Sequence, residues 1–296
     1  MSKPRIAFLG LGIMGGGMAR RLLANGFPVA VFNRNAEKAR SFAADGAQVA
    51  ESPRAAASGA GFIISMVADD TASRGLWLGE NGALSSAAPG TVCIECSTVT
   101  LGCVREVAAA AAAKQCEFLD APVTGSKAHA ASGELNFIVG GSDVALEKAR
   151  PVLAAMSKTI VPAGPVGSGA LLKIVNNFVC GVQAASLAEA VAVIERGGLN
   201  REKAMEIIVN GAPGSPLVKT LWQRMTKPDY TPNFLLRLMT KDLVYALEEG
   251  HKVAVEMQTA AAALKIFQSA AAAGHGDEDF AAVVEPLRSP QKGASS

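Results

Sequence analysis

Through the first half of the chain, short runs rich in β-branched and aromatic residues alternate with helical patterns. Candidate strands cover residues 5–9, 29–32, 62–66, 92–95 and 118–119, with a later pair at 135–139 and 159–161. Helices are expected to begin near Ile13, Ala36, Pro53, Thr71, Thr100 and Asp143. Ser52-Pro53 has the form of an N-cap followed by proline at the first helical position. This alternation predicts a parallel sheet with crossover helices.

The pattern changes at Gly164-Pro165-Val166-Gly167. From 168 to 196 runs one long helical pattern without proline, which stops at Gly197-Gly198. Its first turns (Leu171, Leu172, Ile174, Val175, Phe178, Val179, Val182) are apolar almost all round, so burial is expected. Glu189 and Glu195 further along read as solvated or interface charges. More helices are expected over 201–209, 217–224, 235–249 and 259–273, and the tail after Pro286 is expected to be loose. The alanine tracts at 108–113, 260–263 and 270–273 fit close-packed helix. The fold class is therefore α/β: a Rossmann-type doubly wound sheet domain over 1–165, then an all-α domain over 166–290 with one long connecting helix.

Length and composition agree with two domains. The chain has 296 residues, half of them apolar and 18% charged, which excludes disorder as a description of the whole. A net charge of +2 with two Trp and two Tyr leaves little for binding nucleic acid. No apolar run is read as a membrane span, and residues 3–14 read as a strand entering a glycine loop rather than a signal peptide. Cys93 and Cys96, three apart in an apolar run, should point to opposite faces. The five cysteines are read as reduced thiols of a cytoplasmic protein. His129, His251 and His275 lack metal-ligand spacing, so no metal is assigned.

Gly10-Leu11-Gly12-Ile13-Met14-Gly15 fits G-x-G-x-x-G between a strand and a helix. The first glycine permits the turn, the second lets backbone approach a pyrophosphate, and the third lets helix pack on sheet. Amides at the helix start then face the phosphates. The second strand runs to Asn33, the ribose position. An Asp or Glu there favours NAD, whereas Asn33 followed by Arg34 suits a 2′-phosphate, so NADP(H) is the expected cofactor and NAD(H) the alternative. Thr98, in the loop after the 92–95 strand, lies where strand ends face a cofactor.

Lys173 sits within the apolar helix. Such a lysine either snorkels to the helix edge or, if buried, becomes usable as an acid or base. Asn177, four residues on, shares its face and is placed to hold the lysine or a substrate oxygen.

Five blocks in order resemble the β-hydroxyacid dehydrogenase family. They are Phe8 to Gly15, Asp120-Ala121-Pro122-Val123-Thr124-Gly125-Ser126, Gly167 to Asn177, Lys241-Asp242-Leu243, and Gly274 to Phe280. The resemblance implies reduction of a small aldehyde- or 2-oxo acid, with Lys173 as proton donor and Asn177 beside it. It implies that Thr124, Gly125 and Ser126 bind the substrate carboxylate and that Lys241 approaches the cofactor. Phe234 and Asp242 then help to close the substrate site, although Asp242 beside Lys241 also fits an ordinary surface pair. Gly125-Ser126-Lys127 resembles the glyoxylate and succinic semialdehyde reductases. 3-Hydroxyisobutyrate and tartronate semialdehyde remain alternative substrates. An imine reductase is disfavoured by Lys173, and a non-catalytic binding module by Lys173, Asn177 and Thr98 together. Thr124 departs from the family's usual serine, and its extra methyl narrows the pocket. The apolar surface of the second half, and the habit of the family, imply a homodimer or homotetramer.

Overall fold

The computed structural model describes residues 3–288. They form two compact units, one running to Lys173 and one from Ile174 onward, so the division falls within the long helix.

In the first unit, β1 (Ile6–Leu9), β2 (Val29–Phe32), β3 (Gln48–Val49), β4 (Phe62–Ser65), β5 (Val92–Glu95) and β6 (Glu117–Asp120) lie parallel. Beyond them come β7 (Val123–Thr124), β8 (Leu135–Gly141) and β9 (Ser157–Gly164). The order is β3-β2-β1-β4-β5-β6-β8-β7, with β9 paired to β8. β8 runs antiparallel to β6 and β7. Strand order reverses between β1 and β4, the crevice where doubly wound sheets bind ligands.

The connecting helices are α1 (Ile13–Ala24), α2 (Ala36–Arg40), α3 (Pro53–Ala57), α4 (Asp70–Trp77), α5 (Leu101–Ala113), α6 (Lys127–Ser132) and α7 (Asp143–Ala154). The Ser52 side chain caps α3 and Pro53 opens it. The two-residue strands β3 and β7 and the six-residue α6 were not expected, because elements so short carry no period to read.

The central strands β1, β4 and β5 are buried on both faces, which explains their nearly continuous apolar runs. Along β1, Ile6 and Phe8 join one core cluster while Ala7 and Leu9 join the other. The same alternation sends Cys93 and Cys96 to different clusters, as their spacing requires. All five cysteines are free thiols.

The second unit is helical. Its elements are α8 (Ser168–Arg196, shared with the first unit), α9 (Arg201–Asn210), α10 (Pro216–Thr226), α11 (Leu236–Lys252), α12 (Gln258–Ala270) and α13 (Glu285–Arg288). Ala184, Leu187, Ala188 and Val191 of α8 pack with Leu221 and Trp222 of α10, Leu243 of α11 and Phe267 of α12.

Four expectations need correction. The start of α8 is not buried: Leu171, Leu172, Val175 and Val179 are each more than a third exposed, and only one side of those turns packs. Helix α12 does not run to 273; it passes at Ala271 into a π-turn, Ala271–His275, in which Gly274 has φ +101°. Glu195 is not simply solvated, since Arg288 meets both its oxygens at 2.8 Å. That pair also fixes Leu287 and Arg288, where a loose tail was expected; the remaining tail lies outside the described residues. On length and mean hydropathy α8 also meets the test for a membrane-crossing helix, because alanine and valine raise its average without a continuous apolar run. Half of that window is buried inside the protein, as in the core helix of a globular fold.

Candidate active site

The glycine loop joins β1 to α1. Gly10 has φ +99°, and a Cβ there would lie 2.3 Å from the Met66 carbonyl oxygen. A Cβ on Gly15 would lie 2.1 Å from the Gly10 carbonyl oxygen. Both glycines are therefore required by the protein itself. Gly12 differs: it is exposed at the N-cap of α1, and a Cβ there would meet no protein atom within 4 Å. Protein packing does not demand glycine at 12, whereas a pyrophosphate lying against the backbone does. No side chain caps the helix start, so its amides stay directed at that space. Ile13 is exposed beside it, and Met14 packs on the core. The loop thus fits a dinucleotide.

Asn33 stands at the end of β2. Its side-chain oxygen accepts the Leu11 N–H at 2.9 Å, and its amide donates to the Asn35 carbonyl at 3.0 Å. Arg34 is exposed immediately beyond. Asn35 caps α2 by accepting from Glu37 and Lys38, and Lys38 is exposed one turn after Arg34. Lys38 thus adds a second exposed cation four residues after the first.

The loop after β5 rests on a carboxylate inside the protein. Glu95, 1% exposed, accepts from the Ser73 hydroxyl (2.5 Å), the Trp77 indole (2.9 Å) and the Ser97 N–H (2.8 Å). The Ser97 hydroxyl in turn takes the Val67 N–H at 2.8 Å. Asp70 holds the Thr100 N–H and hydroxyl at 2.9 and 2.6 Å. Thr98, half-buried, lies between these two anchors. A glutamate in the apolar string Val92-Cys93-Ile94-Glu95-Cys96 was the available sign.

The segment from Asp120 to Ser126 crosses β6 and β7. Thr124, half-buried, pairs with Asn136 across β7 and β8, and the Asn136 amide approaches its hydroxyl oxygen at 3.5 Å. Asn136 is itself oriented by the Thr159 hydroxyl at 2.6 Å. Because the Thr124 oxygen accepts, its proton remains for a ligand. Gly125 is exposed with φ +134°. Ser126 caps α6, and both its N–H and its hydroxyl engage His129 Nδ1, at 3.0 and 2.9 Å.

Asp120 is 1% exposed. Its two oxygens accept the N–H groups of Gly167 and Ala170, each at 2.8 Å. Burial pushes this carboxyl above the usual carboxylate range, while the backbone donors pull it back. Lys173 follows Ala170 by one turn of α8 and is half-buried.

In the second unit Asn177 is 5% exposed, and its amide donates to Asp242 Oδ2 at 2.6 Å. Asp242, 1% exposed, pairs through Oδ1 with Lys241 Nζ at 3.0 Å, so it is no surface charge. Lys241 also lies over the Tyr245 ring, 4.6 Å from its centre. The half-buried Phe234 stacks edge-on against Phe280, centroids 5.7 Å apart. Buried Asp279 fixes that loop by accepting the Asn233 and Phe234 N–H groups at 2.9 and 3.2 Å. Among the described residues no cluster of three His, Cys, Asp or Glu could hold a metal ion.

Two family models match successive parts of the chain. Residues 5–164 match the family described as the NAD binding domain of 6-phosphogluconate dehydrogenase. Residues 167–287 match that described as the NAD-binding domain of NADP-dependent 3-hydroxyisobutyrate dehydrogenase. The chain is 37% identical to an NAD-dependent L-serine dehydrogenase of Pseudomonas aeruginosa, over 98% of this chain and 99% of that one. It is 34% identical to glyoxylate/succinic semialdehyde reductase 1 of Arabidopsis thaliana, over 96% and 98%. The solved structure of Mycobacterium tuberculosis 3-hydroxyisobutyrate dehydrogenase with L-serine superposes with a TM-score of 0.88 at 33% identity, over 97% and 100%. The chain belongs to the β-hydroxyacid dehydrogenase family, the NAD(P)-dependent oxidoreductases that act on CH–OH groups.

Proposed function

We propose that the protein reduces a small aldehyde- or 2-oxo acid, of the size of glyoxylate or succinic semialdehyde, to the hydroxy acid, with NADPH as reductant. The observation that carries this reading is the Asn177–Asp242 hydrogen bond of 2.6 Å. It fixes an amide one turn along α8 from the half-buried Lys173. A lysine and a locked amide on one helical face can protonate and orient a single oxygen.

A bound nicotinamide would supply the hydride for reduction of a carbonyl carbon and would accept it in the reverse direction. As the carbon–hydrogen bond forms, the carbonyl π-pair moves to oxygen. The Lys173 ammonium gives that oxygen its proton, leaving a neutral amine, and the reverse reaction returns the proton. Asn177 orients the same oxygen. Thr124, with backbone at Gly125 and Ser126, takes the carboxylate. Gly10, Gly12, Ile13, Met14 and Gly15 would hold the pyrophosphate, Asn33 and Arg34 would hold the adenosine ribose and its 2′-phosphate, and Thr98 and Lys241 are the further cofactor residues that the family pattern suggests. Phe234 and Asp242 are proposed, on the family pattern alone, as substrate residues of the second unit.

A second reading is a 3-hydroxyacid dehydrogenase working in the oxidative direction. It draws on the 37% identity to enzymes named for L-serine and for 3-hydroxyisobutyrate. The test is NADPH oxidation across a panel of small oxo-acids, run beside NAD(P)+ reduction with the matching hydroxy acids. Turnover on glyoxylate or succinic semialdehyde exceeding that on every hydroxy acid supports the first reading; the reverse order supports the second.

The assembly we propose is a homodimer or homotetramer. Leu171, Leu172, Val175, Val179 and Val193 leave apolar surface exposed along α8, which association would cover. A monomeric mass by light scattering at micromolar concentration would contradict it.

A further inference from the structure

Asp120 plays no part in the chemistry above, yet it is a carboxylate with 1% of its surface exposed. Burying a charge is unfavourable unless donors replace water. Here the replacements come from the start of α8, through the Gly167 and Ala170 N–H groups at 2.8 Å. The approach is close. A Cβ on Gly169 would lie 2.6 Å from the Asp120 carbonyl oxygen and 2.5 Å from that of Ile138, so the helix start sits directly on the end of β6 and the middle of β8. A Cβ on Gly140 would lie 2.5 Å from an Asp120 carboxylate oxygen. Ala170 is buried here, whereas the next two residues, Leu171 and Leu172, are 38% and 46% exposed.

Two chains of connection leave Asp120. One runs forward through Pro122, whose carbonyl takes the Ile138 N–H at 2.9 Å, to β7 and Thr124. The other crosses to Ala170, and Lys173 lies three residues beyond, on the adjoining turn. We propose that Asp120 is a positioning residue for the proton donor: by gripping the first turn of α8 it fixes where Lys173 stands relative to the Thr124 segment. This rests on the proton-donor reading of Lys173.

Asp120→Asn keeps the shape but turns one acceptor into a donor facing a backbone N–H. Misplacement of a reacting group by about 1 Å costs on the order of 10²-fold in rate. The expected result is a fall in kcat of about 10–10²-fold, with the dissociation constant for NADPH and the KM for the oxo-acid nearly unchanged. The deciding measurement is a double-mutant cycle with Lys173→Ala, at a temperature where thermal melts show every variant folded. If Asp120 acts through Lys173, Asp120→Asn lowers kcat in the wild-type background and has little effect in Lys173→Ala. An equal loss in both backgrounds, or no loss in the wild type, overturns the proposal alone. Full turnover by Lys173→Ala overturns the proton-donor reading and this inference with it. Should Asp120→Asn not fold, Gly169→Ala, which pushes the same helix turn off β6 and β8, is taken through the same cycle with the same expected result.

Discussion

The side-chain oxygen of Asn33 accepts the Leu11 N–H at 2.9 Å, so the end of β2 braces the middle of the glycine loop. The residue at the ribose position therefore also shapes the pyrophosphate loop. Arg34, the next residue, is exposed and shares no such bond with the loop. Adjacent residues thus have separable tasks.

Replacing Asn33 by Ala should weaken NADPH and NADH together, because the loop both share loses a brace. A neutral hydrogen bond contributes about 1 kcal/mol, or roughly fivefold in affinity. Replacing Arg34 by Ala should raise the KM for NADPH far more than that for NADH, by about 1.5–3 kcal/mol of lost charge-assisted contact. Steady-state kinetics with both cofactors on both variants checks this. Equal responses to Arg34→Ala would show that Arg34 does not read the 2′-phosphate.

The glycines of the loop should separate as well. Gly12→Ala adds a methyl where no protein atom lies within 4 Å, so thermal stability should hold within about 0.5 kcal/mol. Cofactor affinity should nevertheless fall about tenfold or more, a loss of at least about 1.4 kcal/mol. Gly15→Ala forces a methyl to 2.1 Å from the Gly10 carbonyl oxygen, and should destabilise by about 1–3 kcal/mol. Thermal melts and NADPH fluorescence titration of the two variants measure both effects. A Gly12→Ala protein that binds NADPH like the wild type would remove the pyrophosphate from that position.

The longer strands and helices of the first unit were legible because central strands buried on both faces write themselves as apolar runs punctuated by glycine and cap residues. The candidate site was legible less evenly. Gly10, Gly12 and Gly15 announce themselves by spacing alone. Asp120 does not: a single carboxylate in an apolar string says that something must satisfy it, but its partners are backbone N–H groups, which every sequence supplies and none advertises. Glu95 adds the Ser73 hydroxyl and the Trp77 indole, 22 and 18 positions away. The Asn177–Asp242 bond joins residues 65 positions apart, beyond the reach of any local pattern. The exposure of Leu171, Leu172 and Val175 was hidden for another reason: an apolar helix face looks the same whether its own chain or another surface covers it.

The most direct test of the account is Lys173→Ala, assayed with NADPH and the best oxo-acid of the panel. Removing a half-buried lysine should leave the fold intact by thermal melt, and cofactor titration should be nearly unchanged, since the loop at Gly12 and Asn33 is untouched. Turnover should fall by about 10²–10⁴-fold, the usual contribution of a positioned acid or base. Thr124→Ala should instead raise KM more than it lowers kcat. Wild-type turnover by Lys173→Ala on every reducible acid would contradict the mechanism.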